Sequence, residues 1–268
     1  MPAERFEATL VEDSRVSAIA AGSILDWDSR MFGITAARLD RFTATGPPKG
    51  ERLQTVLSAF LEKCRERGVQ HLTARVGAEE LDAIHTLERN EFELLDGVQT
   101  FSMRLESRPP DPLAGDFTIR LSQPGDEEQV AAIARTAYVY DRFHADSMLS
   151  AEQADRAHEE WMRNSCRGVA ADAVFVAVRG DRVLGYVTCK IDRDPLAGVI
   201  VLVATLKEFR GQGIARQTTQ RALQWFWDQD VRGVEVGTQL RNVGAGRVYE
   251  NAGFRLTNVR LTFRRDLR

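Results

Sequence analysis

The sequence predicts a mixed α/β protein built in two halves, with the chemistry in the second. Three observations lead there. Apolar, β-branched runs of strand length alternate with stretches whose apolar residues recur at helical spacing, the pattern of layered α/β folds. The segment Pro109-Pro110-Asp111-Pro112 disfavours both helix and central strand, so it reads as a linker dividing residues 1–110 from 111–268. Residues 69–105 also align without gaps on 231–267 at a constant offset of 162. Ala83 matches Ala245, Glu88 matches Glu250, Phe92 matches Phe254, and Thr100-Phe101 matches Thr262-Phe263, as a structural duplication requires.

In the first half, Thr45-Gly46-Pro47-Pro48-Lys49-Gly50 introduces a helix over 51–67. Its Leu53, Val56, Leu57, Phe60, Leu61 and Cys64 share one face. The second half begins with a strand at 117–121 and a helix at 124–138 opened by Asp126 and Glu127. A polar, partly helical stretch runs to 167. Strands at 173–178 and 183–191 flank the hairpin turn Arg179-Gly180-Asp181-Arg182. The apolar run 199–205 is a buried strand. It is followed by a glycine-containing turn, a helix at 214–230, a strand at 234–239, a short helix at 243–251, and two strands at 254–257 and 260–267.

Composition narrows the function. At 268 residues, with 43% apolar and 28% charged side chains, the chain is long enough for two folded domains. A net charge of -3 gives no general attraction to nucleic acid or to an anionic membrane, so neither is expected as a partner. One local excess stands out: seven arginines against Glu250 and Asp266 between 241 and 268. It suits a solvated strand surface or a patch facing a phosphorylated cofactor. Cys64, Cys166 and Cys189 form no CxxC pair, and the four histidines show neither HxxxH nor HExxH spacing. Neither a disulfide framework nor a catalytic metal is expected. No apolar run approaches the roughly 20 residues that span a bilayer. Acids occupy the N-terminus where a signal peptide has a basic and an apolar region, so the expected location is cytoplasmic.

The most informative stretch is 201–215, where a buried strand feeds a turn with Gly211 and Gly213 and then a helix. A helix start leaves backbone N–H groups unpaired and carries partial positive charge, which suits a phosphate. Glycine lets the backbone approach closely, and Arg210 and Arg216 flank the turn. Taken alone, the turn is equally an ordinary loop between strand and helix. It is neither GxxxxGKS nor GxGxxG. It does match RxxGxA at Arg210, Gly213 and Ala215, and Asn242, Ala245, Tyr249, Gly253 and Phe254 match NxxAxxxYxxxGF. Together, in this order, the two patterns resemble the pyrophosphate-binding and downstream signatures of the GCN5-related N-acetyltransferase (GNAT) superfamily, over roughly residues 116–268.

The resemblance implies a GNAT fold in the C-terminal half, preceded by a degenerate GNAT-like half, and acetyl-coenzyme A as acyl donor. It implies a bulged strand whose Val203, Ala204 and Thr205 meet the pantetheine arm. Arg210, Gly211, Gln212, Gly213, Ile214, Ala215 and Arg216 would wrap the pyrophosphate, and Asn242 would contact the pantetheine. Tyr249 would stand near the thioester sulfur as general acid, and the backbone N–H of Val203 would stabilise the oxyanion. Without the motif, Tyr249 reads as a core aromatic on an amphipathic helix.

Two further stretches, Trp27-Asp28-Ser29-Arg30-Met31-Phe32-Gly33 and Arg142-Phe143-His144-Ala145-Asp146, are similar to segments of bacterial dTDP-fucosamine acetyltransferases. Asp141 stands where those have Ser, and Ser147 where they have Pro. That likeness implies an amine on a nucleotide-linked amino sugar as acceptor. Arg142, Phe143 and His144 would either contact that acceptor or pack the loop. The alternatives are an aminated natural product, a peptide or protein terminus, and a noncatalytic acyl-CoA-binding module. By the 162 offset Tyr249 corresponds to Leu87 and Asn242 to Glu80, and the glycine turn to a segment with Pro47 and Pro48. The first half is therefore expected to be a scaffold that completes the acceptor pocket or forms a homodimer face.

Overall fold

The computed structural model describes residues 4–112 and 116–268, and its contacts sort the chain into two units. In chain order the elements are β1 (Arg5–Glu12), β2 (Arg15–Ile24), α1 (Asp26–Phe32), β3 (Ala36–Ala44), α2 (Lys49–Glu66), β4 (His71–Gly77), α3 (Leu81–Arg89) and β5 (Glu93–Arg104). There follow β6 (Thr118–Leu121), α4 (Glu127–Ala137), α5 (Ala151–Cys166), β7 (Ala173–Arg179), β8 (Arg182–Arg193), β9 (Leu196–Thr205), α6 (Ile214–Asp228), β10 (Gly233–Gln239), α7 (Val243–Asn251) and β11 (Arg255–Asp266).

The first unit holds Met1–Val98, Ala145–Leu149 and Val259–Arg268. Its strands run β1-β2-β3-β4-β11, antiparallel except for the β3/β4 pair. The apolar face of α2 covers this sheet: Leu53, Val56, Leu57, Phe60, Leu61 and Cys64 are all buried, in a core with Leu39, Leu72 and Phe263. Phe60 stacks on Phe6 with ring centroids 4.9 Å apart. Asp146 is buried in this unit, 2.6 Å from Nε2 of His71 and 3.3 Å from Nε of Arg264.

The second unit holds Gln99–His144 and Ser150–Asn258, with strand order β5-β10-β9-β8-β7-β6. The β9/β10 pair is parallel and is joined by the α6 crossover. On one face Ala222, Leu223 and Phe226 of α6 pack against Val187, Ile200 and Val234. On the other, α4 and α5 bring Val130, Ile133 and Met162 onto Val176, Tyr186 and Leu202. The polar stretch before 167 folds as α5 because Ser150 and Gln153 form a reciprocal capping box, at 3.2 and 2.9 Å.

Two expectations need correction. The units do not part at 110/111. Gln224 of α6 donates to the Pro110 carbonyl at 3.0 Å and to Asp111 at 2.7 Å, fastening the proline segment to the second unit. Residues 260–266 return to pair with β4 in the first. The last two expected strands are also one. The 260–266 half satisfies the edge of β4, and Thr257 bonds the Thr100 carbonyl at 3.2 Å, so both halves stay extended.

The duplication is visible in the elements. Shifted by 162 positions, β4, α3 and β5 coincide residue for residue with β10, α7 and β11. A parallel strand pair occurs in each unit, β3/β4 in one and β9/β10 in the other.

Candidate active site

The site begins where β9 leaves β10. Their parallel register runs from Gly198↔Val234 to Ile200↔Val236 and stops, although both strands continue. The cause lies on the other edge of β9. Thr188 faces Leu202 and Cys189 faces Ile200, so Val201 is an extra residue, a β-bulge that turns the strand away. Leu202 N–H is taken by Thr188 Oγ1 at 2.9 Å, and Leu206 N–H by the Leu184 carbonyl at 2.8 Å, both on β8. Since successive residues alternate, Val203 directs its N–H to the opposite, unpaired edge. Backbone donors along a strand are thus left open to a ligand.

The second wall is the start of α6. Gly211 and Gly213 both take left-handed backbone, with φ of 81° and 80°, a conformation that glycine adopts without strain. A Cβ on Gly211 would meet nothing within 4 Å, so the turn presents bare backbone to open space. Gly213 caps α6 with no side-chain hydrogen bond, and the first turn holds no acid. Its N–H groups and positive end of the dipole are uncompensated.

Between these walls lies a cavity of about 660 Å³. Val203, Ala204, Thr205, Arg210, Gly211, Gly213, Ile214, Ala215, Arg216, Asn242 and Tyr249 all line it. Gln212 is exposed and does not. Arg210, Arg216 and Arg241 contribute positive charge, and no carboxylate is among the described lining residues. The hydroxyl of Thr205 is buried without a hydrogen-bond partner. An orphaned hydroxyl, uncapped amides, bare glycines and three guanidinium groups fit an elongated polyanion with amide groups.

Asn242 has a structural duty here: its side chain accepts from Ala245 N at 3.2 Å and caps α7. That orients α7 so that Tyr249 faces the cavity. The Tyr249 ring lies 6.0 Å from Phe101 and 6.1 Å from Phe254, and the residue is only 5% exposed. Burial pushes its pKa well above the usual tyrosine value, so the phenol stays protonated at neutral pH. Burial also raises the thiols, Cys64 to about 12, Cys166 to about 11 and Cys189 further, so none is a ready nucleophile.

Arg142, Phe143 and His144 are not among the residues lining this cavity. Phe143 is buried, its ring 5.8 Å from His158 and 4.0 Å beneath the Arg142 guanidinium. His144 places Nδ1 2.6 Å from Asp141 and Nε2 3.1 Å from Asp155. Burial alone would lower its pKa, but the bonds and charges of Asp141 and then Asp155 outweigh that, and the net direction is up. Asp141, His144 and His158 also hold ligand-type atoms within 4.8 Å of one another, a convergence that sequence spacing did not reveal. His158 bonds the Ala154 carbonyl at 3.1 Å, and burial lowers its pKa.

Sequence reasoning missed one whole wall. Tyr138, Val139 and Tyr140, just after α4, and Arg241, just before Asn242, line the cavity as well. Arg241 donates to the Tyr140 carbonyl at 3.3 Å. The adjacent tyrosines and the arginine beside the second motif were the only local signal.

A model of the acetyltransferase (GNAT) family matches residues 136–254. Across 255 residues the chain is 28% identical to the spore coat polysaccharide biosynthesis protein SpsD of Bacillus subtilis, covering 93% of this chain and 84% of that one. It is 22% identical to dTDP-fucosamine acetyltransferase of Escherichia coli, covering 85% and 91%. N-alpha-acetyltransferase 30 of Schizosaccharomyces pombe is 39% identical, but over 83 residues, 30% of this chain and 55% of that one. Among solved structures, a GCN5-related N-acetyltransferase from Sphaerobacter thermophilus superposes with a TM-score of 0.69 at 20% identity, over 97% of this chain and 80% of that one.

Proposed function

Because this chain belongs to the acetyltransferase (GNAT) family and is an acyl-CoA-dependent N-acyltransferase, we propose that it moves an acetyl group from acetyl-coenzyme A to the amine of a nucleotide-linked amino sugar. The observation that carries the donor assignment is the single cavity joining the open edge of β9, the uncapped start of α6 and Tyr249. Residues 203–205 would hold the pantetheine arm by backbone bonds, and Arg210 to Arg216 the pyrophosphate. Asn242 keeps one amide face for the cavity while its oxygen caps α7.

Bound in this way, the cofactor supplies an activated thioester carbonyl. The neutral amine attacks its carbon, the C–N bond forms, and the carbonyl electrons move to oxygen. The Val203 N–H, already pointed to that side, stabilises the oxygen without reorganising. As the C–S bond breaks, sulfur takes the electron pair and Tyr249 donates a proton or hydrogen bond to it. The ammonium proton leaves to solvent, and solvent returns a proton to Tyr249 where the phenol has given up its own. The raised pKa of Tyr249 keeps the donor loaded but makes full transfer harder, so a hydrogen bond at the transition state is the larger part of its effect.

Support for a sugar acceptor comes from which relatives align along the chain. Those named for polysaccharide and dTDP-fucosamine chemistry match 93% and 85% of it, whereas the protein N-terminal acetyltransferase matches 30%. Phe143 and His144 act in this reading by shaping the loop, with the Arg142 guanidinium 4.0 Å over the Phe143 ring. Purified protein with acetyl-coenzyme A and an amine panel tests it. Thiol release and acetylated product are expected with dTDP- or UDP-linked amino sugars. Turnover confined to peptides would replace the acceptor, and binding without any turnover would leave a noncatalytic acyl-CoA module.

A further inference from the structure

We propose that Tyr138 is a second hydrogen-bond donor to the charge that develops in the cavity, held in that role by Tyr186. This rests on reading the cavity as the place of acyl transfer. Tyr138 follows the last residue of α4 and lines the cavity together with Tyr249. Its ring is stacked on His158 with centroids 4.6 Å apart, which fixes the plane of the phenol. Its oxygen lies 3.1 Å from the Tyr186 hydroxyl.

Which of the two donates follows from burial. Tyr186 sits on β8 with no exposed surface, and its hydroxyl has no other hydrogen-bond partner among the described residues. A buried O–H with nothing to receive it is costly, so its hydrogen goes to the Tyr138 oxygen. The Tyr138 hydrogen then has no protein acceptor among the described residues and is free for the cavity that the residue lines. Burial holds Tyr138 in its protonated form.

The chain Tyr186 to Tyr138 to the reacting centre is a polarised pair of hydrogen bonds, each strengthening the next. Tyr138 keeps its proton throughout; Tyr249 remains the donor to sulfur. Its donation matters when charge appears, so the effect belongs in kcat. Tyr186 touches no reacting atom and is a positioning residue.

The test uses the full chain with acetyl-coenzyme A and the amine that wild type turns over best. The variants are Tyr138→Phe, Tyr186→Phe and the two combined, with coenzyme A affinity and melting temperature measured for each. Tyr138→Phe is expected to lower kcat about tenfold, the worth of one bond to a developing charge, at unchanged affinity. Tyr186→Phe should lower it about threefold, and the double variant should match Tyr138→Phe alone, because Tyr186 acts only through Tyr138. A Tyr138→Phe enzyme within twofold of wild-type kcat overturns the proposal, and additive losses overturn the role of Tyr186. Wild-type protein that binds no coenzyme A, or binds it without turnover, would instead refute the underlying reading of the cavity, before any variant is made.

Discussion

Tyr249 is held by packing: Phe101 and Phe254 flank its ring, and its hydroxyl makes no hydrogen bond to a described residue. Tyr249→Phe therefore keeps the packing and removes only the donor. Steady-state kinetics with both substrates saturating are expected to show kcat about a hundredfold lower, while calorimetry shows coenzyme A affinity unchanged. A loss of threefold or less would return Tyr249 to the core. The pH dependence has a definite sign. Burial raises the phenol pKa above its ordinary value of about 10, so the donor stays protonated up to and beyond that pH. Activity should rise with pH as the substrate ammonium deprotonates and should show no falling limb below about pH 10. A falling limb near pH 9 that vanishes in Tyr249→Phe would contradict this. Tyr249 was legible in the sequence because its motif is local. Tyr138 and Arg241 were not, since they reach the same cavity from segments about a hundred positions apart.

Among the elements, the start of α6 concentrates the binding argument. Gly213 has φ of 80° and caps the helix, and a Cβ there would meet only Gln217 Nε2, at 3.9 Å. Gly213→Val has room inside the protein, but it strains the backbone by about 1–3 kcal/mol and sets a branched side chain where a phosphate would rest. Calorimetry is expected to show coenzyme A binding weakened at least tenfold, with a melting temperature that falls by the strain alone. Equal affinity in folded Gly213→Val would remove the pyrophosphate from this turn. Should that variant not fold, Gly211→Ala, at a position with nothing within 4 Å, asks the same question with a smaller group. The glycine turn was readable from spacing. The bulge at Val201 was implied only by resemblance, because a bulge is defined by the partner strand, here Thr188 and Cys189 of β8.

At the scale of the whole molecule the duplication predicts a stoichiometry. The counterpart of α7 is α3, with Leu87 in place of Tyr249 and Glu80 in place of Asn242, its carboxylate accepting from Gly77 N at 2.8 Å. The counterpart of the glycine turn holds Pro47 and Pro48, which lack N–H groups. Arg52 there reaches back to the Thr45 and Gly46 carbonyls, at 2.5 and 3.1 Å. The fold has been kept while two N–H groups of the turn have gone to proline. Equilibrium titration should therefore give one coenzyme A per chain, and two equivalent sites would show that the first unit still binds.

The sequence by itself determined the fold class, the repeat at 162 positions, the helix at 243–251 and the glycine turn with its arginines. Each depends on residues close together in the chain, through period, capping or backbone freedom. Tertiary structure alone decided where the units divide, how β9 parts from β10, and that residues 137–140 close the cavity. It also decided that His144 spends both ring nitrogens on Asp141 and Asp155 instead of facing that cavity. These depend on which strand edge or carboxylate lies opposite, and strand pairing and burial join residues that no local pattern relates.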